Sequence, residues 1–280
     1  MRLLSPQPAC QGSSEPAGAE GHPAQARQSW PPRKRSIDWP LGKVLACLLP
    51  THPHSCGGSA VGGCHDTILA VEEYHRVVAD LRQAYGPAMA AERDGRGKEA
   101  FKIDERQRFL DLLRERDATA LLEVGAGTGH DSLYFQGQGL RVLCTDLSPA
   151  MVELCKAKGL DARVADFLGL GVPPASFDAV YALNCLLHVP TPDLPRVLEA
   201  IEEVLVPGGL LYVGTWGGVD EEGPMPDDHH PVPRFFAFRS DERMREALAE
   251  RFRVLSFTTV DVGGNHFQSF VLEKPKAARR

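Results

Sequence analysis

The chain has 280 residues, a net charge of −6 and 43% hydrophobic residues. That is enough to bury the core of one large α/β domain, and the mild acidity offers no long-range attraction to nucleic acid or anionic membranes, so neither is an expected partner. No apolar run approaches the roughly 20 residues a bilayer span needs; the longest, Val44 to Leu49, is far too short.

Residues 1–65 are rich in Pro, Gly, Ser, Ala and Gln and carry no sustained apolar period. Such a stretch cannot offset its ordering entropy, so it is expected to be a disordered low-complexity extension. It opens with one Arg and a short Leu pair, and no secretory signal is expected. His52, His54, Cys56, Cys64 and His65 crowd together but match no zinc-site spacing, so no metal is expected there. The seven cysteines follow no framework spacing. Cys144 and Cys155 sit in apolar contexts as reduced core thiols would, which points to a cytoplasmic protein.

The domain is expected over 66–276, with lid helices in 66–118 and the core in 119–276. In TILAVEEYHRVVADLRQAY, Ile68, Val71, Tyr74, Val78, Leu81 and Tyr85 recur at helical spacing, and Gly86-Pro87 ends the helix. A second helix, IDERQRFLDLLRER, places Ile103, Phe109, Leu110 and Leu113 on one side. From Ala120, strands ALLEV, LRVLCTD, DARVAD, FDAVYAL and LLYVGT alternate with helices. Ser148 caps one, with Pro149 in its first turn. Another runs from about Asp193 to Leu205 with a stripe of Leu194, Val197, Leu198, Ile201 and Val204, stopped by Pro207-Gly208-Gly209. This alternation predicts parallel βαβ units in a doubly wound α/β sheet. FRVLSFTTVDV, GGN and HFQSFVLEKP predict an antiparallel hairpin closing one edge.

In such sheets ligands lie beyond the carboxyl ends of the strands, which draws attention to LLEVGAGTG. A nucleoside triphosphate would want GxxxxGK[ST], which is absent, and a dinucleotide GxGxxG, with the third glycine one place later. Glu123 stands two residues before Gly125. A carboxylate about 4 Å from a pyrophosphate charge repels it by roughly 4 kcal/mol at intermediate dielectric, whereas a cation is welcome. S-adenosylmethionine carries a sulfonium and an ammonium and no phosphate, so Glu123 with bare backbone at Gly125, Ala126, Gly127 and Gly129 suits it. Asp146 closes the next strand, where an acid can grip both ribose hydroxyls; Leu147 follows it. Asp166 closes the third, placed to accept from an adenine amino group, with Phe167 beside it to pack on the base. Met151 either borders the adenine or fills the core.

EVGAGTG, TDLSPAMVELCKAKG, ADF, FDAVYALNCLLHV and the helix ending in PGG before LLYVGTWGG resemble, in order, the motifs of class I S-adenosylmethionine-dependent methyltransferases. The likeness runs from about Ala120 to Trp216. It implies a Rossmann-like, mostly parallel seven-stranded sheet, with Glu123, Gly125 and Gly127 along the methionine part of the cofactor. It implies Asp146 at the ribose, Asp166 and Phe167 at the adenine and Asn184 near the ligand. The helix bearing Tyr74 would cover the site. No [DN]PP[YF] follows the fourth strand, as enzymes methylating nucleobase amino groups have; NCLL stands there. Cys185 lacks the preceding Pro of cytosine-C5 enzymes and reads as a buried thiol. The segment most resembles small-molecule enzymes of quinone and natural-product pathways, so a small-molecule acceptor is expected. RNA or protein methylation, nicotinamide-dependent oxidoreduction and non-catalytic cofactor binding are the alternatives. His188 and Tyr74 are the candidates to face the acceptor, with a packing role for His188 preferred. MPDDHHPVPRFF reads as a substrate wall or a solvated loop; Asp227, Asp228, His229 and His230 are adjacent and cannot easily converge on a metal.

Overall fold

A computed structural model describes residues 62–225, 228 and 230–276. The extension assigned to 1–65 therefore lies outside the described residues, apart from its last few. So does the His52–His65 cluster, save that the backbone of Cys64 and His65 belongs to the first helix. Three helices precede the sheet where two were expected: α1 (Gly62–Ala84), α2 (Pro87–Asp94) and α3 (Ala100–Glu115). Gly86-Pro87 does end α1, but Pro87 also starts α2, since proline in a first helical turn gives up no needed hydrogen bond. Ile103 is 43% exposed instead of facing inward; α3 buries Phe109, Leu110 and Leu113 as expected, together with Lys102 and Glu105.

Then follow β1 (Ala120–Val124), α4 (His130–Gly137), β2 (Arg141–Asp146), α5 (Pro149–Ala157), β3 (Asp161–Val164), β4 (Phe177–Leu183), α6 (Leu194–Val204) and β5 (Leu205–Gly217). Next come β6 (Glu221–Pro224), β7 (Phe235–Phe238), α7 (Asp241–Ala249), β8 (Arg253–Val262) and β9 (Asn265–Glu273). The main sheet has seven strands in the order β3-β2-β1-β4-β5-β9-β8. Its first five run parallel, and β9 is antiparallel to both β5 and β8. This is the Rossmann-like sheet expected, and the chain order reverses between β1 and β4, where such sheets bind ligands. Gly263 and Gly264, both at positive φ, make the two-residue hairpin turn. The antiparallel pair β6–β7 was not anticipated.

Pro207-Gly208-Gly209 does not stop α6. The helix ends at Val204, Leu205 is already extended, and the glycines lie inside β5. Pairing with β4 jumps from Phe177–Leu205 to Ala179–Leu210, so the proline and glycines form an irregularity at the strand's start.

Alternate residues of β1, β4 and β5 feed two cores. Leu122, Val124, Val180, Leu211 and Val213 meet the α6 stripe, including Val197, Leu198 and Ile201, with Met244 and Leu248 of α7. Leu121, Ala179, Tyr181 and Tyr212 meet Phe109 and Leu113 of α3, Phe135 of α4 and Cys155 of α5. Tyr181 and Tyr212 stack with ring centroids 4.7 Å apart. Truncating a ring such as Phe109, 1% exposed, would cost about 3–5 kcal/mol. Among the described residues no helix is long and apolar enough to cross a membrane.

Candidate functional site

β1 ends at Val124 and the backbone turns at once. Gly125, Gly127 and Gly129 all have positive φ, and Gly129 is the N-cap of α4. The first two are needed for different reasons. A Cβ on Gly125 would come 2.4 Å from Cβ of Cys185, so bare backbone there lets β1 and the segment after β4 pack. A Cβ on Gly127 would meet nothing within 4 Å; it would enter open space beyond the strand ends. Ala126 N–H donates to the Thr145 carbonyl at 3.0 Å, tying the turn to β2.

Asp146 at the end of β2 organises this turn. Its Oδ2 accepts the Gly127 N–H and its Oδ1 the Ser148 N–H, both at 2.8 Å. Burial outweighs these two bonds and pushes the carboxyl up to about 6. Each oxygen keeps a second lone pair, enough to receive two hydroxyls. Leu147 presents its carbonyl to Arg82 Nε of α1 at 3.3 Å. Ser148 caps α5, accepting from Met151 N–H at 3.2 Å, and its Oγ reaches the Tyr85 carbonyl at 2.6 Å. Met151 is buried against Met89 and Ala90 of α2, so it packs the lid helix onto α5.

Asp166 and Phe167 follow β3. Asp166 Oδ1 accepts the Leu168 N–H at 2.8 Å, and Phe167 packs against the α6-side core. Tyr74 of α1 is buried beside them: its hydroxyl has no hydrogen-bond partner among the described residues, and burial, with Asp166 and Asp193 nearby, pushes its pKa up. A hydroxyl so held keeps its proton. Asn184, just after β4, has φ of 53° and a buried Oδ1 without a partner. A non-glycine left-handed residue with an orphaned acceptor is strain of the kind that collects at ligand sites.

Glu123 differs from what was expected of its charge. The side chain is 3% exposed, and Ser132 Oγ of α4 donates to its Oε2. Burial, then the neighbouring Asp131, raises its carboxyl well above the usual range. Asp131 itself is held by Lys98 Nζ at 2.6 Å and Arg106 at 2.9 Å. In the free protein desolvation thus outweighs the single hydroxyl bond and favours the protonated form of Glu123 under the turn.

His188 lies in a short 3-10 turn, Leu186–His188. Its Nδ1 faces the Phe235 carbonyl at 2.7 Å and must carry the proton, since a carbonyl only accepts. Nε2 then holds a lone pair, and the Tyr85 hydroxyl donates to it at 2.8 Å. Burial, aided by Arg234 and Arg93 and opposed by the Phe235 carbonyl, lowers its pKa to about 3. Both ring nitrogens are engaged and the ring is neutral, so it anchors β7 and α1 to the segment after β4. Arg239 secures the same segment, donating to the carbonyls of Val189 at 2.6 Å and Leu186 at 3.4 Å. Cys185 is buried, reaches the Val124 carbonyl at 3.2 Å and is raised by burial, so it is no nucleophile. Cys144 and Cys155 are buried free thiols as expected.

Sequence reasoning missed Tyr85, Arg93 and Arg234. Tyr85 looked like the last apolar residue of a helix, Arg93 lacked any motif, and Arg234 lay within MPDDHHPVPRFF without being singled out. Arg234 binds Asp228 through Nε at 2.9 Å and NH2 at 3.2 Å, which ties Asp228 to the residue just before β7. Asp228 is thereby committed, while Asp227 and His229 lie outside the described residues. Among the described residues no three His, Cys, Asp or Glu side chains could share a metal ion. A cavity of about 240 Å³ opens between α1 and β6–β7, lined by Arg76, Asp80, Pro233 and Phe235 among others; none of the turn residues borders it.

Residues 122–213 match a family described as "Methyltransferase domain". A ubiquinone biosynthesis O-methyltransferase of Xylella fastidiosa is 32% identical over 116 residues, 38% of this chain and 46% of that protein. A probable tRNA methyltransferase 9B of Homo sapiens is 32% identical over 108 residues, 38% of this chain and 23% of that protein. The chain thus spans less than half the length of these relatives. Among solved structures, an S-adenosylmethionine-dependent methyltransferase from Methanosarcina mazei superposes with a TM-score of 0.52 at 17% identity, covering 56% of this chain and 92% of that one. A protein from Pyrococcus horikoshii gives 0.51 at 15%, covering 64% and 92%. These two likenesses concern the fold.

Proposed function

Since this chain belongs to the class I S-adenosylmethionine-dependent methyltransferases, we propose that it methylates a small-molecule acceptor. The observation carrying this reading is the turn at Gly127: its N–H is pinned to Asp146 while the space its side chain would fill is empty. Backbone can therefore approach a nucleoside closely, with Asp146 beside it to receive two ribose hydroxyls. The orphaned Oδ1 of Asn184 wants a donor, which an ammonium supplies. Asp166 has one oxygen free for an amino group, and Phe167 offers an apolar surface next to it. These residues fit S-adenosylmethionine.

When bound, S-adenosylmethionine would supply a methyl carbon on a cationic sulfur to a lone pair of the acceptor, the carbon–sulfur electron pair going to sulfur. The protein's part is alignment and exclusion of water, worth several kcal/mol. Tyr85 carries out much of this. Its carbonyl is fixed to Ser148 beyond β2 and its hydroxyl to His188 beyond β4, so it crosses above β1 and the glycine turn.

The small-molecule reading is supported by the Xylella quinone-pathway relative and by the net negative charge. The human relative favours a second reading, tRNA as acceptor. The family match speaks against the nicotinamide alternative. The test is transfer of tritiated methyl groups from S-adenosylmethionine to hydroxylated aromatic compounds and, separately, to bulk tRNA. Label in the small-molecule fraction is expected. Label in tRNA alone overturns the acceptor class, and absence of S-adenosylmethionine binding overturns the whole reading.

A further inference from the structure

Arg93 is the unpaired charge of its neighbourhood. On α2, Glu92 pairs with Arg96, and Asp94 pairs with Lys158 and His130. Arg93, between them, has no ion pair or hydrogen-bond acceptor among the described residues, and its Nε is buried with no partner. Its guanidinium carbon lies 5.8 Å from the centre of the Tyr85 ring, and that of Arg234 lies 5.7 Å from the same centre. Arg234 is balanced by Asp228, leaving NH1, which reaches the Tyr85 hydroxyl at 3.4 Å. A guanidinium whose buried N–H lacks an acceptor is costly, and a ligand oxygen removes that cost.

We propose that Arg93, with Tyr85 and Arg234 beside it, receives a negatively charged oxygen group of the methyl acceptor, a carboxylate or an ionised phenol. This rests on the methyl-transfer reading above. Two observations place the group on the acceptor. First, Tyr85 and Arg234 converge with His188, which follows β4, and Arg234 itself immediately precedes β7. The Tyr85 hydroxyl and Arg234 thus meet on the β4 side of the sheet, whereas the ribose and adenine residues follow β2 and β3; Arg93 stands on α2, which packs on α5, and meets them at the Tyr85 ring. Charges nearer the glycine turn are different ones, Lys98 and Arg106 around Asp131. Second, none of His188, Tyr74 and Cys185 can take a proton from an acceptor: both nitrogens of His188 are engaged, Tyr74 is a buried neutral phenol, and Cys185 is a buried thiol. An ionised oxygen arrives with its lone pair free and no proton to surrender, and a guanidinium favours that ionised form.

Calorimetry on the full chain loaded with S-adenosylhomocysteine tests this, using benzoate, salicylate and 4-hydroxybenzoate as probes and methyl 4-hydroxybenzoate as the neutral comparison. The anions should bind, the ester about tenfold more weakly, as loss of a charge-assisted hydrogen bond implies. Arg93→Gln should weaken the anions by about tenfold and leave the ester and S-adenosylhomocysteine unchanged, with Arg93→Lys in between. Equal binding of anions and ester, no binding of the anions, or no effect of Arg93→Gln on them overturns the inference. So does a loss confined to S-adenosylhomocysteine, which would assign Arg93 to the cofactor's own carboxylate. Wild-type protein that binds no S-adenosylhomocysteine overturns the methyltransferase reading instead.

Discussion

The Tyr85 hydroxyl donates to Nε2 of His188 at 2.8 Å across 103 residues of sequence, and the two rings meet edge to face at 5.6 Å. The bond requires a neutral imidazole, which gives it a pH dependence. In the unfolded chain His188 takes a proton near its ordinary 6.5, while in the fold it resists to about 3. A base with a depressed folded pKa contributes stability above 6.5, and this is lost as pH falls from 6.5 toward 3, by at most about 1.4 kcal/mol per unit. Asp146 and Glu123, with raised values, act in the opposite sense. The His188 part is therefore read as a difference: between pH 7.5 and 5, the urea midpoint of wild type should fall further than that of His188→Gln. Parallel curves would show that the ring is not held neutral.

Asp146 should impose the reverse profile on ligand binding. Its carboxyl must be ionised to accept two ribose hydroxyls, and in the free protein it titrates at about 6. Affinity for 5′-methylthioadenosine, which lacks the titrating amino-acid end, should be flat above pH 7. It should fall below 6, approaching about tenfold per unit. Asp146→Asn should bind more weakly by about 1–3 kcal/mol and lose the slope. Equilibrium dialysis across that range decides; an unchanged slope in the variant removes the ribose role.

The two glycines should separate folding from binding. Alanine at Gly125 meets Cys185 at 2.4 Å in addition to strain at positive φ. It should cost about 2–5 kcal/mol, combining overpacking with left-handed strain. Alanine at Gly127 bears only the strain, about 1–2 kcal/mol, but its methyl occupies the open space and should abolish measurable S-adenosylhomocysteine binding. Denaturant melts and calorimetry on both variants check this. A Gly127→Ala protein that binds normally would move the cofactor elsewhere.

Glu123 should release a proton when a cation arrives. Burial and Asp131 raise its carboxyl well above the usual range in the free protein, and a positive charge nearby favours ionisation. At pH 8 Asp146 is already ionised, so proton release on S-adenosylmethionine binding that disappears in Glu123→Gln belongs to Glu123. Calorimetry in buffers of different ionisation enthalpy measures it. Equal release from both proteins would mean that the acid stays neutral under the bound ligand.

Much of this protein is written in local pattern. Glycines at alternate positions after an apolar run, Ser148 before Pro149, the α6 stripe and the Gly263-Gly264 turn each act within a few residues, so the sequence alone determined the strands of the main sheet, the Ser148 cap and the glycine turn, but not β6 or β7. Pro207-Gly208-Gly209 misled for the same reason: as local breakers they suggest a helix stop, yet pairing with β4 draws them into β5. Charge and pairing were decided only by the tertiary structure. Glu123 reads as an anion until Ser132 and Asp131 close over it. Tyr85 reads as core until the end of α1 brings it to His188, and Arg93, in no motif, finds no acceptor for its Nε among the described residues. Desolvation and long-range hydrogen bonds depend on which elements pack together, and no spacing along the chain encodes that.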